Sequence, residues 1–426
     1  MSKLKFQAPT GMHDILSGDW KYYKKIYDTC EKIANFYGFK QISPPILEDT
    51  EIFNKGTGAT SDIVKKEMLS LKTKGGDFLT LRPEGTPGAI RAYIEHGMQN
   101  LPKPVKLWYF GPFFRYEKPQ AGRYRQFYQF GFEIIGEEDP VFDAQLVKVF
   151  SNILEELKIK DISIFVNSIG EKECRAEYNK ILKKFLKKSS NSLCKECKER
   201  SLNNPLRVLD CKVEKCQEAL KDSPETLDSL CSGCREHFKS FLEYLDEYEL
   251  PYSLNQNLVR GLDYYTKTVF EITLEGDNER RQNSLGAGGR YDDLVQLLGG
   301  PETPAVGIAG GVERIIAEMK KNDNINFADS NSPNVFIAQL GADSKKKSIK
   351  IIEEFRKAKI NIAESLGKES LGAQLKVADK IGVKYALIIG QKEAMDNSVL
   401  IRNMKNGKRK TVKMENIIEE IKKALK

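Results

Sequence analysis

Arg260, Asp263, Tyr264 and Tyr265 fall within six residues, with turn residues before them and a strand-like run from Thr268 to Ile272 after them. A guanidinium keeps its charge at any working pH, and a phenol both donates and accepts hydrogen bonds. At a strand end, where binding residues gather, that mixture suits a small-molecule site. The plainer alternative is a tyrosine-rich strand whose arginine pairs with Asp263.

Four further stretches could contribute to such a site. In Phe78-Leu79-Thr80-Leu81-Arg82-Pro83-Glu84-Gly85-Thr86 a strand stops at a proline, and a carboxylate and a hydroxyl follow on the turn. Glu84 and Thr86 together could receive an ammonium group. Thr86 could equally cap a helix from Pro87 to His96, which has proline at its first position. From Gln126 to Ile135, the residues Gln129, Gly131 and Glu133 share one face by the strand period of two. Gly131 has no side chain, so a ligand has room between the amide and the carboxylate; the alternative is a bulge. Gly310-Gly311 leads into a helix with Arg314 in its first turns, placed to clamp a phosphate or to make a surface i,i+4 pair. Leu285 to Asp292 is glycine-rich but lacks the Gly-Lys-Ser/Thr of a Walker loop, so it lets backbone approach a ligand or turns the chain.

The eight cysteines are uneven: Cys30 and Cys174 stand alone, and six fall between Cys194 and Cys234. Cys194-x2-Cys197 and Cys231-x2-Cys234 have zinc-ligand spacing, with Cys211 and Cys216 between them and His237 just beyond. The metal reading is a structural zinc at Cys194, Cys197, Cys231 and Cys234. The gap of 33 residues between the pairs is long for a compact ribbon, and reduced cysteines without metal are the alternative. His13 and His96 stand singly, as surface or core residues.

The elements that must position these groups follow from periodicity. Trp20 to Tyr37 reads as an amphipathic helix with Gly38 as its stop. Phe39 to Ile42 then makes a short edge strand running into Pro44-Pro45. Val105 to Tyr116 and Gln126 to Ile135 form an antiparallel hairpin around a polar loop, Glu117 to Arg125, long enough to be functional. Residues 171–250 lose strand signals and become helical, like an insertion between two halves of one sheet domain. After a polar linker, 333–426 alternate strands and helices as a separate α/β domain with an Asn406-Gly407 hairpin turn.

At 426 residues, 40% hydrophobic and 30% charged, the chain is an ordinary multidomain protein. It has no signal-peptide stretch and no long apolar run, so a cytoplasmic location without membrane contact is expected. From Pro333 onward there are 21 Lys+Arg against 11 Asp+Glu, and the remainder holds 47 against 49. The whole basic excess therefore lies in the last domain, as expected for a module facing nucleic acid. A lysine-rich solvated surface would look the same.

Taken together, the chain resembles the bacterial-type histidyl-tRNA synthetase family over nearly its full length. Gly38 to Pro45 is similar to class II motif 1, and Phe114-Arg115-Tyr116-Glu117 with Gly122 to Phe127 to motif 2. Gly310-Gly311-Val312-Glu313-Arg314 is similar to motif 3, and Leu258 to Phe270 resembles the histidine-specific peptide. Asp293 stands where the family usually has glycine. The resemblance implies an α/β fold with an α+β catalytic domain: a class II antiparallel sheet flanked by helices, divided into 1–170 and 251–325. It also implies a helical insertion at 171–250 over the acceptor stem and an anticodon-binding domain at 333–426. The implied reaction activates histidine with ATP, assisted by Mg2+, and transfers it to the 3′ end of tRNA(His), in a homodimer.

By the same resemblance, Arg115 and Arg260 are catalytic and hold the α-phosphate, and Arg314 holds the γ-phosphate. Glu117 and Arg123 complete the ATP site. Glu84, Thr86 and Gln129 take the α-amino group of histidine. Glu133 and Tyr265 read the imidazole, with Tyr264 and Tyr291 lining the pocket. A catalytically silent histidine-sensing paralogue, of the ATP-phosphoribosyltransferase regulatory type, is the alternative. It lacks the C-terminal domain and tends to lose the arginines that this chain keeps.

Overall fold

Val105–Phe114 and Gln126–Ile135, both dense in aromatic and branched residues suited to a pleated surface, pair antiparallel along their whole length. They sit in an eight-stranded sheet. Its order is Lys40–Gln41, Val105–Phe114, Gln126–Ile135, Ala305–Gly311, Ser284–Arg290, Thr266–Leu274, Ile162–Ser168 and Ser253–Leu254. The interior pairs are antiparallel, and the two short outermost strands pair parallel. This computed structural model describes residues 6–58, 61, 63–118, 123–275, 284–321 and 332–425. The chain divides into two units, Met1–Asn326 and Phe327–Lys426.

One face of the sheet is covered by helices Ser17–Tyr37, Val141–Glu156 and Ser232–Glu247. Period two sends Phe130 and Phe132 to that side, where both are fully buried. Phe130 stacks on Phe150 at 5.5 Å, and Phe132 meets Phe39 edge-on at 5.1 Å. A Cβ on Gly286 would lie 2.2 Å from the Phe150 ring. That glycine of the Gly-rich stretch therefore makes room for a helix aromatic. The Ser17–Tyr37 helix ends where Gly38 takes a left-handed φ of 79°.

A buried ion pair pins the same layer. Arg290 and Asp143, 147 positions apart, are both fully buried, and Arg290 Nη2 approaches Asp143 Oδ2 to 2.5 Å. Arg290 also donates to the carbonyls of Glu137 and Asp139 and to Asp292. Burial opposes its charge, but Asp143 and Asp292 hold its pKa above the ordinary arginine value. Arg82 does similar work at the sheet edge. It donates to the carbonyls of Pro112 and Pro44, and its guanidinium lies 4.5 Å from the Phe113 ring. The prolines cannot donate to a ladder, but their carbonyls are thereby satisfied.

Between Ile162–Ser168 and Ser253–Leu254 the chain leaves the sheet for a helical region running from Lys172–Lys188 to Ser232–Glu247. In the second unit, Ile362–Glu364, Val335–Gln339, Tyr385–Ile389, Ser398–Asn403 and Arg409–Lys413 form one sheet in that order. Its first three strands are parallel and the rest antiparallel. Val335, Ile337, Leu387 and Ile389 face one hydrophobic core, and Phe336, Ala338 and Ile388 the other.

Candidate active site

The sheet face away from those helices carries a row of very small residues. Register sets Gly131 opposite Ala309, Ala309 one strand from Ala287, and Ala287 opposite Glu271. Small side chains at matching positions leave a floor on which a ligand can lie. At the near end the row meets Tyr109, paired with Gly131. A Cβ at Gly131 would fall 2.3 Å from the Tyr109 ring, and one at Gly85 would fall 2.2 Å from it. The two glycines therefore clear space for this tyrosine. This corrects the expectation that Gly131 opens room for ligand between Gln129 and Glu133.

Glu133 lies beneath this ring, fully buried. Its Oε1 accepts from Thr86 Oγ1 at 2.8 Å and Tyr109 at 3.0 Å, and its Oε2 accepts from the Tyr291 hydroxyl. Burial pushes its pKa up to about 7, while these three hydroxyls hold it down. A carboxylate has about four lone-pair sites, so one remains, on Oε2. That oxygen sits 1.8 Å from where a Cβ on Gly307 would be, and Gly307 lines the cleft. The alternative in which Thr86 caps a helix from Pro87 to His96 does not hold: the helix is Thr86–Glu95. Gly85 is the capping position, without a side-chain cap, and the Thr86 hydroxyl goes to Glu133 instead.

Glu84 closes the same end. Its Oε2 accepts from Tyr264 at 2.9 Å. Among the described residues, its Oε1 is buried without a hydrogen-bond partner. Burial pushes its pKa up to about 7, with Arg115 and Tyr264 pulling the other way. A buried carboxylate oxygen without a donor is costly, and a cationic ligand would relieve it. Tyr264 packs 4.7 Å from Tyr265 and 5.7 Å from Tyr291, forming an aromatic wall. Burial keeps all three phenols protonated, with the nearby carboxylates adding to the effect for Tyr264 and Tyr291.

The other end is cationic. Arg115 donates from Nε to the Pro83 carbonyl and lies over the Phe127 ring at 5.4 Å. Arg314 donates to the Ser284 carbonyl at 2.7 Å. Glu318, one turn on, pairs instead with Lys321. Burial lowers the pKa of Arg314, and the like charges of Arg123 and Arg115 lower it further. Glu117 pairs with Arg123 at 3.2 Å. Arg260 lies 3.7 Å from Glu271, and its Nε is buried without a partner among the described residues. Asp263, the partner in the plainer alternative, takes a hydrogen bond from Asn204.

One cleft thus gathers Glu84, Thr86, Arg115, Glu117, Arg123, Gln129, Arg260, Tyr264, Tyr265, Tyr291 and Arg314 along its wall; Glu133 lies just behind. Arg125 is not part of the lining. It donates to the Glu117 carbonyl and stacks on Tyr116 at 4.0 Å. Pro119 to Gly122 of the motif 2-like loop fall outside the described residues. His13 packs at a tilt with its ring 4.6 Å from that of Tyr124 at the cleft. Tyr109 was not legible as a site residue, since it reads as one more aromatic of a strand. Nor were the residues that fix the Arg260 loop: Arg175 donates to the Tyr265 carbonyl, Arg207 to that of Gly261, and Asn204 to Asp263.

The cysteines do not assemble as their spacing suggested. Cys194 and Cys197 join Cys211 and Cys216, whereas Cys231 and Cys234 join Cys174 and Glu171. A single site at Cys194, Cys197, Cys231 and Cys234 is therefore corrected. His237 faces the sheet, 3.9 Å from Asp143, and belongs to neither group.

The family described as histidyl-tRNA synthetase matches residues 11–315, and an anticodon binding domain matches 334–424. An antiparallel catalytic sheet followed by that domain defines an aminoacyl-tRNA synthetase. The histidine–tRNA ligase of Dehalococcoides mccartyi is 43% identical over 99% of this chain and all of its own. That of Acetivibrio thermocellus is 41% identical over 98% of this chain and 99% of its own. The apo histidyl-tRNA synthetase of S. aureus superposes with a TM-score of 0.80 at 32% identity, covering 98% of this chain and 100% of that one. The chain belongs to the histidyl-tRNA synthetase family.

Proposed function

We propose that this chain activates histidine with ATP and transfers the histidyl group to the 3′ end of tRNA(His). The observation that carries the reading is a single cleft with an unpaired buried carboxylate oxygen at one end and clustered arginines at the other. The α-ammonium of histidine supplies the missing partner of Glu84, with Thr86 and Gln129 beside it. Tyr265 and the remaining lone pair of Glu133 face the imidazole, with Tyr264 and Tyr291 as walls. A polar pocket of this kind rejects analogues lacking the ring nitrogens by roughly 10⁴ or more.

The histidine carboxylate then attacks the α-phosphorus of ATP. A P–O bond forms to the carboxylate, and the bond to pyrophosphate breaks. Arg115 and Arg260 hold the α-phosphate and Arg314 the γ-phosphate, so charge is met by fixed cations that need no proton transfer. Magnesium, when bound, adds neutralisation of the phosphate oxygens. Glu117, an oxygen donor on the cleft wall, fits as its protein contact. In the second step the terminal ribose hydroxyl of the tRNA attacks the histidyl carbonyl and releases AMP. The helical insertion is assigned to the acceptor stem and 333–426 to the anticodon.

A silent histidine sensor is disfavoured by the matched anticodon binding domain and by the retained Arg115, Arg260 and Arg314. A homodimer is supported by the small sheet of Leu47–Asp49, Leu69–Lys72 and Phe78–Leu81. Its register puts Leu47, Leu69, Leu71, Leu79 and Leu81 on one face, all partly or fully exposed. Among the described residues no helix is long and apolar enough to cross a membrane. The test of the activity is exchange of labelled pyrophosphate into ATP. It should depend on histidine; absence of exchange, or equal exchange with other amino acids, refutes the reading.

A further inference from the structure

The two long helices of the insertion, Lys172–Lys188 and Ser232–Glu247, bury aromatic and leucine side chains along their length but a cysteine in the first turn of each, Cys174 and Cys234. Further cysteines are buried between them in sequence. Cys197, Cys211 and Cys216 are buried beside Leu193, Val208, Leu209 and Leu220. Cys174 and Cys234 are buried beside Leu230. None of the eight cysteines is disulfide-bonded. In each group four ligand atoms lie within 4.8 Å of one another. A tetrahedral zinc with Zn–S near 2.3 Å needs sulfurs about 3.8 Å apart, so a contraction of about 1 Å at most closes either group. A multi-iron cluster spreads its four sulfurs over separate irons and needs a wider frame.

The backbone around both groups is arranged for anionic sulfur. Cys194 occupies the N-cap of Lys195–Asn203, and Cys231 occupies the N-cap of Ser232–Glu247, where helix dipoles favour a thiolate. The Cys194 N–H donates to Cys216 Sγ at 3.1 Å, Cys197 N–H to Cys194 Sγ at 3.4 Å, and Val213 N–H to Cys211 Sγ at 3.5 Å. The second group repeats the pattern: Cys231 N–H donates to Cys174 Sγ at 3.1 Å and Cys234 N–H to Cys231 Sγ at 3.3 Å. Glu171 Oε1 lies 3.2 Å from Cys231 Sγ, supplying an oxygen as fourth donor. Sequence spacing concealed this because each Cys-x2-Cys pair completes its set with residues outside the other pair.

We propose that the insertion carries two structural zinc sites, a four-thiolate site at Cys194, Cys197, Cys211 and Cys216 and a three-thiolate, one-carboxylate site at Glu171, Cys174, Cys231 and Cys234. The ions bind as the thiols lose their protons, and each clamps separate chain segments together. The four-thiolate ion joins the Leu206–Leu209 and Glu214–Ala219 helices to Lys195–Asn203. The second ion ties the start of Lys172–Lys188 to the start of Ser232–Glu247.

The test is elemental analysis of the full chain purified from zinc-supplemented cells and dialysed against metal-free buffer. Two zinc ions per chain are expected, falling to one in Cys211→Ser and to one in Cys174→Ser. None or one in the parent chain, or iron with sulfide, overturns the proposal. So does a parent ion lost in both Cys194→Ser and Cys231→Ser but kept in Cys211→Ser, the signature of a single site spanning both pairs. Should a variant fail to fold, the unmodified chain still decides the matter by alkylation and mass spectrometry. Zinc should shield seven of the eight cysteines, all but Cys30, and a strong chelator should expose those seven. Equal labelling with and without zinc overturns the proposal.

Discussion

The two ends of the cleft solve opposite problems. At the end proposed for the amino acid, two carboxylates are buried: Glu133 is nearly saturated by three hydroxyl donors, while Glu84 takes one and keeps an oxygen open. At the end proposed for the nucleotide, arginines are brought within each other's field, and the pKa of Arg314 is lowered by burial first and then by its like-charged neighbours. The first end is shaped by hydrogen bonds already made and has room for little besides its ligand. The second is held in electrostatic debt, which a polyphosphate settles. Selectivity and rate should therefore separate by region, and variants at the two ends should fail differently.

The largest effect is expected at the nucleotide end. Arg260→Ala should lower the rate of histidine-dependent pyrophosphate exchange by about 10²–10³, as loss of one fixed charge donor does. Its histidine affinity, read by calorimetry, should change little. A variant that lost only histidine affinity would erase the distinction between the ends. Next comes Glu84→Gln, which keeps the shape and removes the charge. A hydrogen bond to a charged group contributes about 1.5–3 kcal/mol, so KM for histidine should rise roughly 10- to 150-fold while KM for ATP stays nearly constant.

Gly307→Ala should have a smaller effect. The added Cβ would meet Glu133 Oε2, so the carboxylate or Tyr291 must shift. Overpacking of this kind costs about 1–3 kcal/mol, and KM for histidine should rise roughly tenfold with a lowered Tm. The smallest effect is the pH dependence of stability. Glu84 and Glu133 titrate near 4.5 when unfolded and about 7 when folded. The folded state thus binds more protons in between, and stability of the ligand-free protein should fall as pH rises from about 4.5 to about 7, then level off. Thermal unfolding across pH 5 to 8 checks the sign, and Glu84→Gln with Glu133→Gln should flatten the curve.

Much of this was readable from residue order because it is local. The Gly38 helix stop, the long hairpin, the strand–proline–glutamate turn and the basic final domain each declare themselves within one continuous stretch of chain. What was not readable depends on partners brought from far away. Arg290 and Asp143 give no sign of each other across 147 positions. Tyr109 looks like core until register sets it over Gly131 and beside Glu133. Thr86 looks like a helix cap until Glu133 is seen to take its hydroxyl. The cysteine pairs invited a single site because spacing cannot tell which pair folds against which neighbour.

The loop from Arg260 to Tyr265 is held from outside the sheet by Arg175, Arg207 and Asn204, all from the helical insertion. Those three contacts make the insertion and the loop a linked pair in the thermodynamic sense. A ligand that biased the insertion's position would reach the Gly261–Tyr265 loop, next to Arg260, through them. Linkage is reciprocal: if RNA on the insertion tightens histidine or ATP, then histidine or ATP must tighten RNA by the same factor. The enzyme's sense of whether its acceptor is present, and the acceptor's grip on a loaded enzyme, are then one quantity measured from two sides.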